Sequence, residues 1–353
     1  PDQIDLLVGG PPCQGYSGIG HRRLHAVDKL DIPANKLYKD MAKVIEFFKP
    51  KAFLFENVKG LHSGRWKKDG AKGEIFKDVL KTFKKIAGYN VRWDTLYAKN
   101  YGVPQNRPRI FIVGFRDEIF VSPEDVLLGD SSEKSDALEA KFLPEKQDNG
   151  FIHLEDLLGD LVDENYIPGQ ETEKYPESAK TPIQKKMRQK SPKDKTVMRK
   201  GSILFEHKYS NHKIEIQEKF AFMRRVDGKK PKDYSKKEQE EAKSYKTKKF
   251  AQRVLPARWK NGSGPWMTAT SLPDDYVHYS QPRILTVREW ARIQTFPDWY
   301  QFAGKRTTGG IRRAGRPGEN IHERELPKYT QIGNAVPVKL AEAIGEHFAN
   351  ILE

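Results

Sequence analysis

Residues 4–20 read IDLLVGGPPCQGYSGIG and decide the fold of the chain. The run from Ile4 to Val8 is short and continuously apolar, which is typical of a strand buried in a parallel sheet. Two glycines and two prolines end this run, and Cys13, the only cysteine of the 353 residues, follows directly. In open α/β sheets, ligands bind beyond the carboxyl ends of the strands, so the thiol lies where a ligand would be expected.

Helical and strand-like patterns alternate as the chain continues. Apolar residues at helical spacing predict helices over residues 35–50 and 73–89. Strands are predicted at 51–58 and 91–98, and a fourth at 109–115 should pair with the third as a hairpin. This order predicts a doubly wound α/β fold with a mostly parallel sheet.

The regular pattern stops after residue 117 and returns later in the chain. A helix is predicted over 285–296, where Thr286 is followed three residues on by Glu289, and another over 336–353. We therefore expect three segments, which are the first part of a catalytic α/β domain at 1–117, a second, smaller and irregular domain at 118–280, and a return to the catalytic domain at 281–353.

Positive charge is concentrated in the irregular middle segment. The formal net charge is +15, and residues 181–260 alone hold 25 Lys and Arg against nine Asp and Glu. Charge confined to one segment indicates a surface that faces a polyanion. A solvated, partly disordered insertion is the alternative, but aromatic and apolar residues interleave with basic ones at 203–226, which favours an ordered module.

The composition argues against several kinds of site. One cysteine is too few for a disulfide framework or a cysteine zinc cluster, and it suits a reducing compartment. The pairs His21/His25 and His207/His212 have no third ligand at a useful spacing, so no metal is expected. No apolar run is long enough to predict a membrane span, and no secretory leader is visible.

Three kinds of reactive side chain stand at predicted strand ends: the thiol of Cys13, the carboxyl of Glu56, and the guanidinium groups of Arg107 and Arg109. A thiolate is a strong nucleophile, and a poorly solvated carboxyl can stay protonated and donate to a ring nitrogen. When sulfur attacks C6 of a pyrimidine that is protonated at N3, C5 becomes nucleophilic, and an arginine at O2 stabilises the developing charge. The set suits alkylation of a pyrimidine at C5. Each residue also has an ordinary structural explanation. Cys13 could be a small buried side chain, Glu56 could cap a helix or pair with a lysine, and Arg107 and Arg109 could belong to a basic turn.

Five blocks of sequence, in this order, resemble the bacterial type of DNA cytosine-5 methyltransferase. They are GGPPCQGYS (9–17), ENVKG (56–60), QNRPR (105–109), RILTVREWARIQTFPDWY (283–300) and QIGNAVP (331–337). The resemblance covers residues 1–117 and about 265–353, and the family's variable target-recognition domain corresponds to the stretch between.

The resemblance implies the fold of the S-adenosylmethionine-dependent methyltransferases and an activity. A methyl group from S-adenosylmethionine would be transferred to C5 of a cytosine that is flipped out of a specific double-stranded DNA sequence. It also implies a role in a restriction–modification system, in a cytoplasmic, nucleoid-associated bacterial enzyme without a metal.

Residues at matching positions receive roles from the resemblance. Cys13 matches the nucleophile at C6, Glu56 the acid at N3, and Arg109 the arginine at O2, with Arg107 in support. Expected contacts with the methyl donor are Pro12, Leu37 and Asn334. Expected contacts with DNA are Gln14, Ser17, Thr268 and Thr270, although threonines at the last two positions could equally belong to an ordinary strand.

The sequence departs from the family pattern before its first strand. The family's glycine-rich methyl-donor loop should precede residue 4 and does not occur, so the strand at 4–8 would be an unpaired sheet edge. We therefore expect the first strands to belong to a longer enzyme of which this is the C-terminal part, or to a second polypeptide. The alternative functions are a non-catalytic DNA-binding subunit or partner of a split methyltransferase, and methylation of cytosine in RNA.

Overall fold

The structure is a computed structural model, which describes residues 4–11, 33–67, 69–119, 135–147, 150–245, 253–260, 262–269, 273–307 and 326–353. By their mutual packing, the residues form two compact units. Unit 1 comprises Pro1–Tyr101, Arg107–Asp148 and Ala341–Glu353, and unit 2 comprises Gly102–Asn106 and Asn149–Leu340.

Unit 1 alternates strands and helices in the predicted order. Its described elements are β1 (Leu6–Gly9), α1 (Leu37–Phe48), β2 (Ala52–Val58), α2 (Glu74–Lys84), β3 (Tyr89–Tyr97) and β4 (Pro108–Arg116). Each overlaps the element predicted at that place, so these predictions are confirmed.

The four strands form one mixed sheet in the order β1-β2-β4-β3. β1 and β2 run parallel, whereas β4 runs antiparallel to both β2 and β3. The predicted hairpin of β3 and β4 is confirmed. The expected mostly parallel sheet is corrected to a mixed one over these strands. The physical reason is that a short loop between two neighbouring strands returns the chain antiparallel, whereas a parallel neighbour needs a long crossover.

Both faces of the sheet in unit 1 are covered. Phe53 of β2 and Ile112 of β4 are fully buried in a core cluster with residues of α1 and α2. Neighbouring residues of a strand point to opposite faces, and Phe115 of β4 accordingly points the other way. Its ring stacks on Phe348 at 5.2 Å and meets Phe142 edge-on at 5.1 Å between centroids.

Unit 2 is built mainly from short helices. Its described elements are α3 (Leu154–Leu158), α4 (Pro182–Met187), α5 (Ile214–Arg225), α6 (Lys236–Ser244), β5 (Arg253–Val254), β6 (Tyr276–Val277), α7 (Val287–Ile293) and α8 (Lys328–Asn334). A last helix, α9 (Val338–Leu352), begins in unit 2 and ends among the residues of unit 1.

Helix α7 lies at the centre of unit 2, and every one of its residues is buried. The Thr286 hydroxyl accepts a hydrogen bond from the Glu289 amide at 3.2 Å, and the Glu289 carboxylate accepts one from the Thr286 amide at 2.8 Å, as the sequence predicts. Trp290 packs in one cluster with Leu157 of α3 and Tyr175.

Packing therefore groups residues 281–340 with the middle of the chain. The sequence assigns residues 281–353 to the catalytic domain and residues 118–280 to a second, smaller domain by their expected function, which packing alone does not test. Which unit carries which function stays a prediction.

Candidate active site

Neighbouring ends of β2 and β4 bring Glu56 and Arg109 together. In the antiparallel register, Val58 lies opposite Arg109 and Glu56 lies opposite Phe111. Glu56 and Arg109 are therefore diagonal neighbours on one face, within reach of long side chains. Arg109 Nε lies 2.7 Å from Glu56 Oε1, and only 8% and 18% of the two side chains are exposed. Two residues predicted to be catalytic thus form one ion pair.

The end of β1 lies against the same carboxylate. Gly9 pairs with Phe55 in the parallel register, and Gly10 follows it beside Glu56. A Cβ atom on Gly10 would lie 3.1 Å from Glu56 Oε2, closer than most real Cβ contacts. Gly10 therefore lets the chain that continues to Cys13 pass close to the carboxylate.

Asn57 ties that passing chain to the end of β2. Its Nδ2 donates to the Pro11 carbonyl at 3.2 Å, and its Oδ1 accepts from the Val58 amide at 2.9 Å. Asn57 is 5% exposed. The sequence analysis gave it no role, although an amide that follows a carboxyl in an otherwise apolar strand was a usable signal. Asn57 therefore fixes the backbone at Pro11, two residues before Cys13.

Burial raises the pKa of Glu56 above its ordinary value of 4.5, and the positive charges of Arg109 and Arg107 oppose this rise without cancelling it. Arg107 is itself 2% exposed, and its carbonyl accepts a hydrogen bond from the Ala98 amide at 3.0 Å. A carboxyl with a raised pKa retains its proton at higher pH, which donation to a ring nitrogen requires.

The block QNRPR is divided between the two units, and its first residues belong to unit 2. Gln105 donates to Gln294 Oε1 at 2.7 Å and accepts from the Ala269 amide at 2.9 Å. The Asn106 amide donates to the Met267 carbonyl at 2.8 Å. These bonds hold the extended segment 266–269 in place.

Thr268, a predicted DNA contact, lies half-buried in this segment. Its hydroxyl donates to the Asn106 carbonyl at 2.5 Å. With its hydrogen engaged, the hydroxyl could only accept a hydrogen bond from DNA. The role predicted for Thr268 stays a prediction.

Several predicted site residues lie outside the described residues, and their roles stay predictions. They are Pro12, Cys13, Gln14, Ser17 and Thr270. Of the expected methyl-donor contacts, Leu37 is the first residue of α1 in unit 1 and is 38% exposed. Asn334, the last residue of α8 in unit 2, is exposed.

The described residues contain neither a candidate metal site nor a helix that could span a membrane. No group of three or more His, Cys, Asp or Glu side chains in these parts of the chain could hold a metal ion. Among the same residues, no helix has the length and apolar character needed to cross a membrane.

A family model for C-5 cytosine-specific DNA methylase matches residues 1–350. The chain belongs to this family. The resemblance stated from the sequence is thereby confirmed, and the pair of Glu56 and Arg109 is a feature of a DNA methylase.

Two relatives of this DNA methylase are Type II methyltransferases of bacteria. The Type II methyltransferase M.DdeI of Desulfomicrobium norvegicum is 32% identical over 357 residues, which cover 99% of this chain and 74% of the relative. M.AgeI of Thalassovita gelatinovora, also named a Type II methyltransferase, is 29% identical over 389 residues, which cover 98% and 83%.

A solved structure shares the fold of this DNA methylase. It is described as a DNA modification methyltransferase encoded within an Escherichia coli prophage. The two chains are 20% identical and superpose with a TM-score of 0.58, covering 99% of this chain and 80% of the other.

Proposed function

We propose that the chain methylates C5 of a cytosine flipped out of a specific duplex DNA sequence, through a transient bond between Cys13 Sγ and C6 of the base. The observation that carries the proposal is the buried pair of Glu56 and Arg109, beside the chain that leads to Cys13. Membership of the methylase family supplies the reaction class.

The pair of Glu56 and Arg109 suits the edge of a cytosine. In that base, N3 and O2 are adjacent acceptors. A protonated Glu56 carboxyl donates to N3 and the Arg109 guanidinium donates to O2, so the two donors meet the two acceptors. Uracil carries a hydrogen on N3 and could not accept there from a protonated carboxyl.

Cys13 carries the covalent step in this proposal. Its thiolate adds to C6 while N3 takes the proton from Glu56, and the electron density moves to C5. After C5 is methylated, the C5 hydrogen leaves as a proton to solvent. The S–C6 bond then breaks while N3 returns its proton to the Glu56 carboxylate, which restores the aromatic ring, the thiolate and the acid. Arg109 at O2 stabilises the negative charge that develops during addition.

S-adenosylmethionine, when bound, would supply the electrophilic methyl group. Leu37 and Asn334, with Pro12, are the residues that would hold it. An exposed leucine and an exposed asparagine are groups of the kind that contact a purine ring and its polar substituents, so their chemistry fits this donor.

Duplex DNA is the substrate that the charge of unit 2 favours. Exposed lysines are spread along residues 181–245, among them Lys185 and Lys186 of α4 and Lys236 and Lys237 of α6. Such side chains contact phosphates and would orient the duplex without reading its sequence. Membership of a restriction–modification system is part of the proposal and rests on the Type II relatives.

A trapping experiment tests the proposal. Duplex DNA that contains 5-fluorocytosine at the target site should form an adduct with the full-length protein in the presence of S-adenosylmethionine, because fluorine at C5 cannot leave as a proton does. Cys13 is the only cysteine of the 353 residues, and mass spectrometry of the digested adduct should place the modification on the peptide that contains it. The target site comes from bisulfite sequencing of DNA from expressing cells.

Cys13→Ala is the matched variant and should bind the same duplex without forming an adduct. Methylation by this variant would refute the assigned nucleophile. DNA binding without methylation by the full-length wild type would favour a non-catalytic DNA-binding partner, and preferred methylation of competing tRNA would favour an RNA enzyme.

A further inference from the structure

Arg253 of β5 lies on an aromatic platform in unit 2. Its guanidinium carbon is 4.5 Å from the centroid of the Trp266 ring and 5.6 Å from that of Tyr276. Arg253 is exposed, and Trp266 is 39% exposed. A large apolar ring open to solvent loses stabilisation that burial would give, so its exposure calls for a functional explanation.

The platform is anchored in the core of unit 2. Trp266 packs against Tyr276 with ring centroids 6.0 Å apart, and Tyr276 packs against the buried Trp290 at 5.8 Å. On its other side Trp266 meets Trp259 edge-on at 6.4 Å. The three residues that follow Trp266 are held by the hydrogen bonds described above for Met267, Thr268 and Ala269. The ring is therefore a fixed surface.

The donors of Arg253 are not engaged by acidic side chains. Among the residues that the structure describes, no carboxylate lies within ion-pair distance of Arg253. By contrast, Arg225 of α5 also lies over an aromatic ring, that of Phe222 at 5.2 Å, but its Nη2 is bound by Glu241 at 2.5 Å. Both arginines are exposed and lie over an aromatic ring, but only the guanidinium of Arg225 is paired with a carboxylate.

We propose that Arg253, positioned over the Trp266 ring, binds a pair of acceptor atoms on the substrate DNA. A guanidinium is planar and offers parallel N–H donors at its edge, and stacking on an aromatic ring fixes its plane while leaving that edge open. Two DNA groups present such a pair, namely N7 and O6 of guanine in the major groove and two oxygens of a phosphate. The inference rests on the proposed function only in taking DNA as the ligand.

The test compares Arg253→Lys with Arg225→Lys in the full-length protein. Lysine keeps the charge and loses the planar fork, so Arg253→Lys should weaken binding to duplex DNA about ten-fold, the effect of one lost bidentate contact. Arg225→Lys should change it less than two-fold. Fluorescence anisotropy gives the affinities for an unmodified duplex with the sequence that the wild type methylates, and for a duplex with that sequence shuffled. Thermal unfolding shows whether both variants are folded.

Two further variants test the role of the ring. Trp266→Ala removes the stacking surface and should weaken DNA binding in the same way as Arg253→Lys, whereas Trp266→Phe keeps a ring and should retain most of the affinity. Steady-state methylation should show a raised KM for DNA at unchanged kcat in Arg253→Lys, because this residue does not touch the reacting base.

The arms of the comparison separate the two sources of acceptors. A loss confined to the target sequence assigns Arg253 to guanine, and an equal loss on target and shuffled duplexes assigns it to a phosphate. Equal binding by Arg253→Lys and wild type would overturn the proposal. Because binding to duplex DNA is measured directly, a wild type that binds DNA without methylating it would refute the proposed reaction, and the affinity of Arg253→Lys for a duplex of any sequence would still test whether Arg253 binds DNA.

Discussion

His207 should make the folded state of unit 2 sensitive to acid. The residue is fully buried, its Nε2 lies 2.9 Å from the Leu161 carbonyl, and its Nδ1 lies 2.9 Å from the Thr286 hydroxyl. A carbonyl can only accept, so Nε2 carries the hydrogen, and Nδ1 accepts from Thr286. A second proton would remove that acceptor, and burial lowers the pKa of His207 from 6.5 to about 4.

The size of the effect follows from this pKa. In the unfolded chain the imidazole takes up a proton below pH 6.5, whereas in the folded chain it stays neutral down to about pH 4. The stability that neutral His207 contributes is therefore present above pH 6.5 and is lost as the pH falls toward 4. The full loss is about 3 kcal/mol, of which about 2 kcal/mol is lost by pH 5.

Urea unfolding followed by tryptophan fluorescence at pH 7 and pH 5 measures this loss. His207→Gln keeps an N–H that can reach the Leu161 carbonyl but cannot titrate, so its free energy of unfolding should fall by about 2 kcal/mol less than that of the wild type between the two pH values. His62→Gln, at an exposed histidine of unit 1, controls for the substitution of histidine by glutamine itself. Equal losses in the wild type and His207→Gln would refute the reasoning.

Three further predictions concern unit 1. Because the pKa of Glu56 is raised above 4.5, its contribution to stability should be lost as the pH rises from 4.5, and urea unfolding of Glu56→Gln should lack this loss. Asn57→Leu should lower kcat of methylation about two- to ten-fold at unchanged KM for DNA, because it removes the hydrogen bond to Pro11, two residues before the proposed nucleophile. An unchanged kcat would contradict the positioning role of Asn57. Gly114→Ala should destabilise the protein by about 1–3 kcal/mol, because the new Cβ would lie 2.1 Å from the Phe53 ring. Gly345→Ala is the matched substitution at an exposed position of α9 with open space around it, and thermal unfolding should show a stabilisation of up to about 1 kcal/mol.

Local sequence patterns predicted the elements of unit 1 because each pattern is long and regular. The helix α2 repeats apolar residues at helical spacing, and β2 and β4 contain the apolar runs 52–55 and 110–113. Local patterns do not predict whether two strands pair parallel or antiparallel, because that depends on which strand lies beside each one in the sheet. The sequence analysis therefore identified every described strand of unit 1 and still assigned the wrong balance of parallel and antiparallel pairs.

The sequence predicts that Glu56 and Arg109 lie close together, and the structure shows a different reason for their proximity. The expectation was that carboxyl ends of parallel strands share one edge of the sheet, and this holds for β1 and β2. Arg109 comes instead from the amino end of the antiparallel β4, and the two ends coincide because β4 runs the other way. Asn57 was missed since its bond to Pro11 joins residues 46 positions apart.

Unit 2 resisted prediction because its stability rests on buried polar contacts between distant residues. Arg292 is fully buried between Asp160 and Asp298, at 2.5 Å and 2.6 Å, and Arg188 is fully buried against Asp160 at 2.6 Å. Such arginines look like surface residues in a sequence. Removing one partner would leave a buried charge uncompensated, which costs several kcal/mol.

The same contacts change what the positive charge of residues 181–260 means for DNA binding. Arg188 counts toward the 25 basic residues of this segment but has no exposed side-chain surface. Arg225 and Arg258 are exposed, yet each forms an ion pair with a glutamate side chain, which for Arg225 is that of Glu241. The salt dependence of DNA binding reports phosphate contacts that displace counterions, so its slope should correspond to far fewer than 25 charges. Charge counted along a sequence thus locates a DNA-binding segment, whereas its acidic partners decide which cations within the segment remain for DNA.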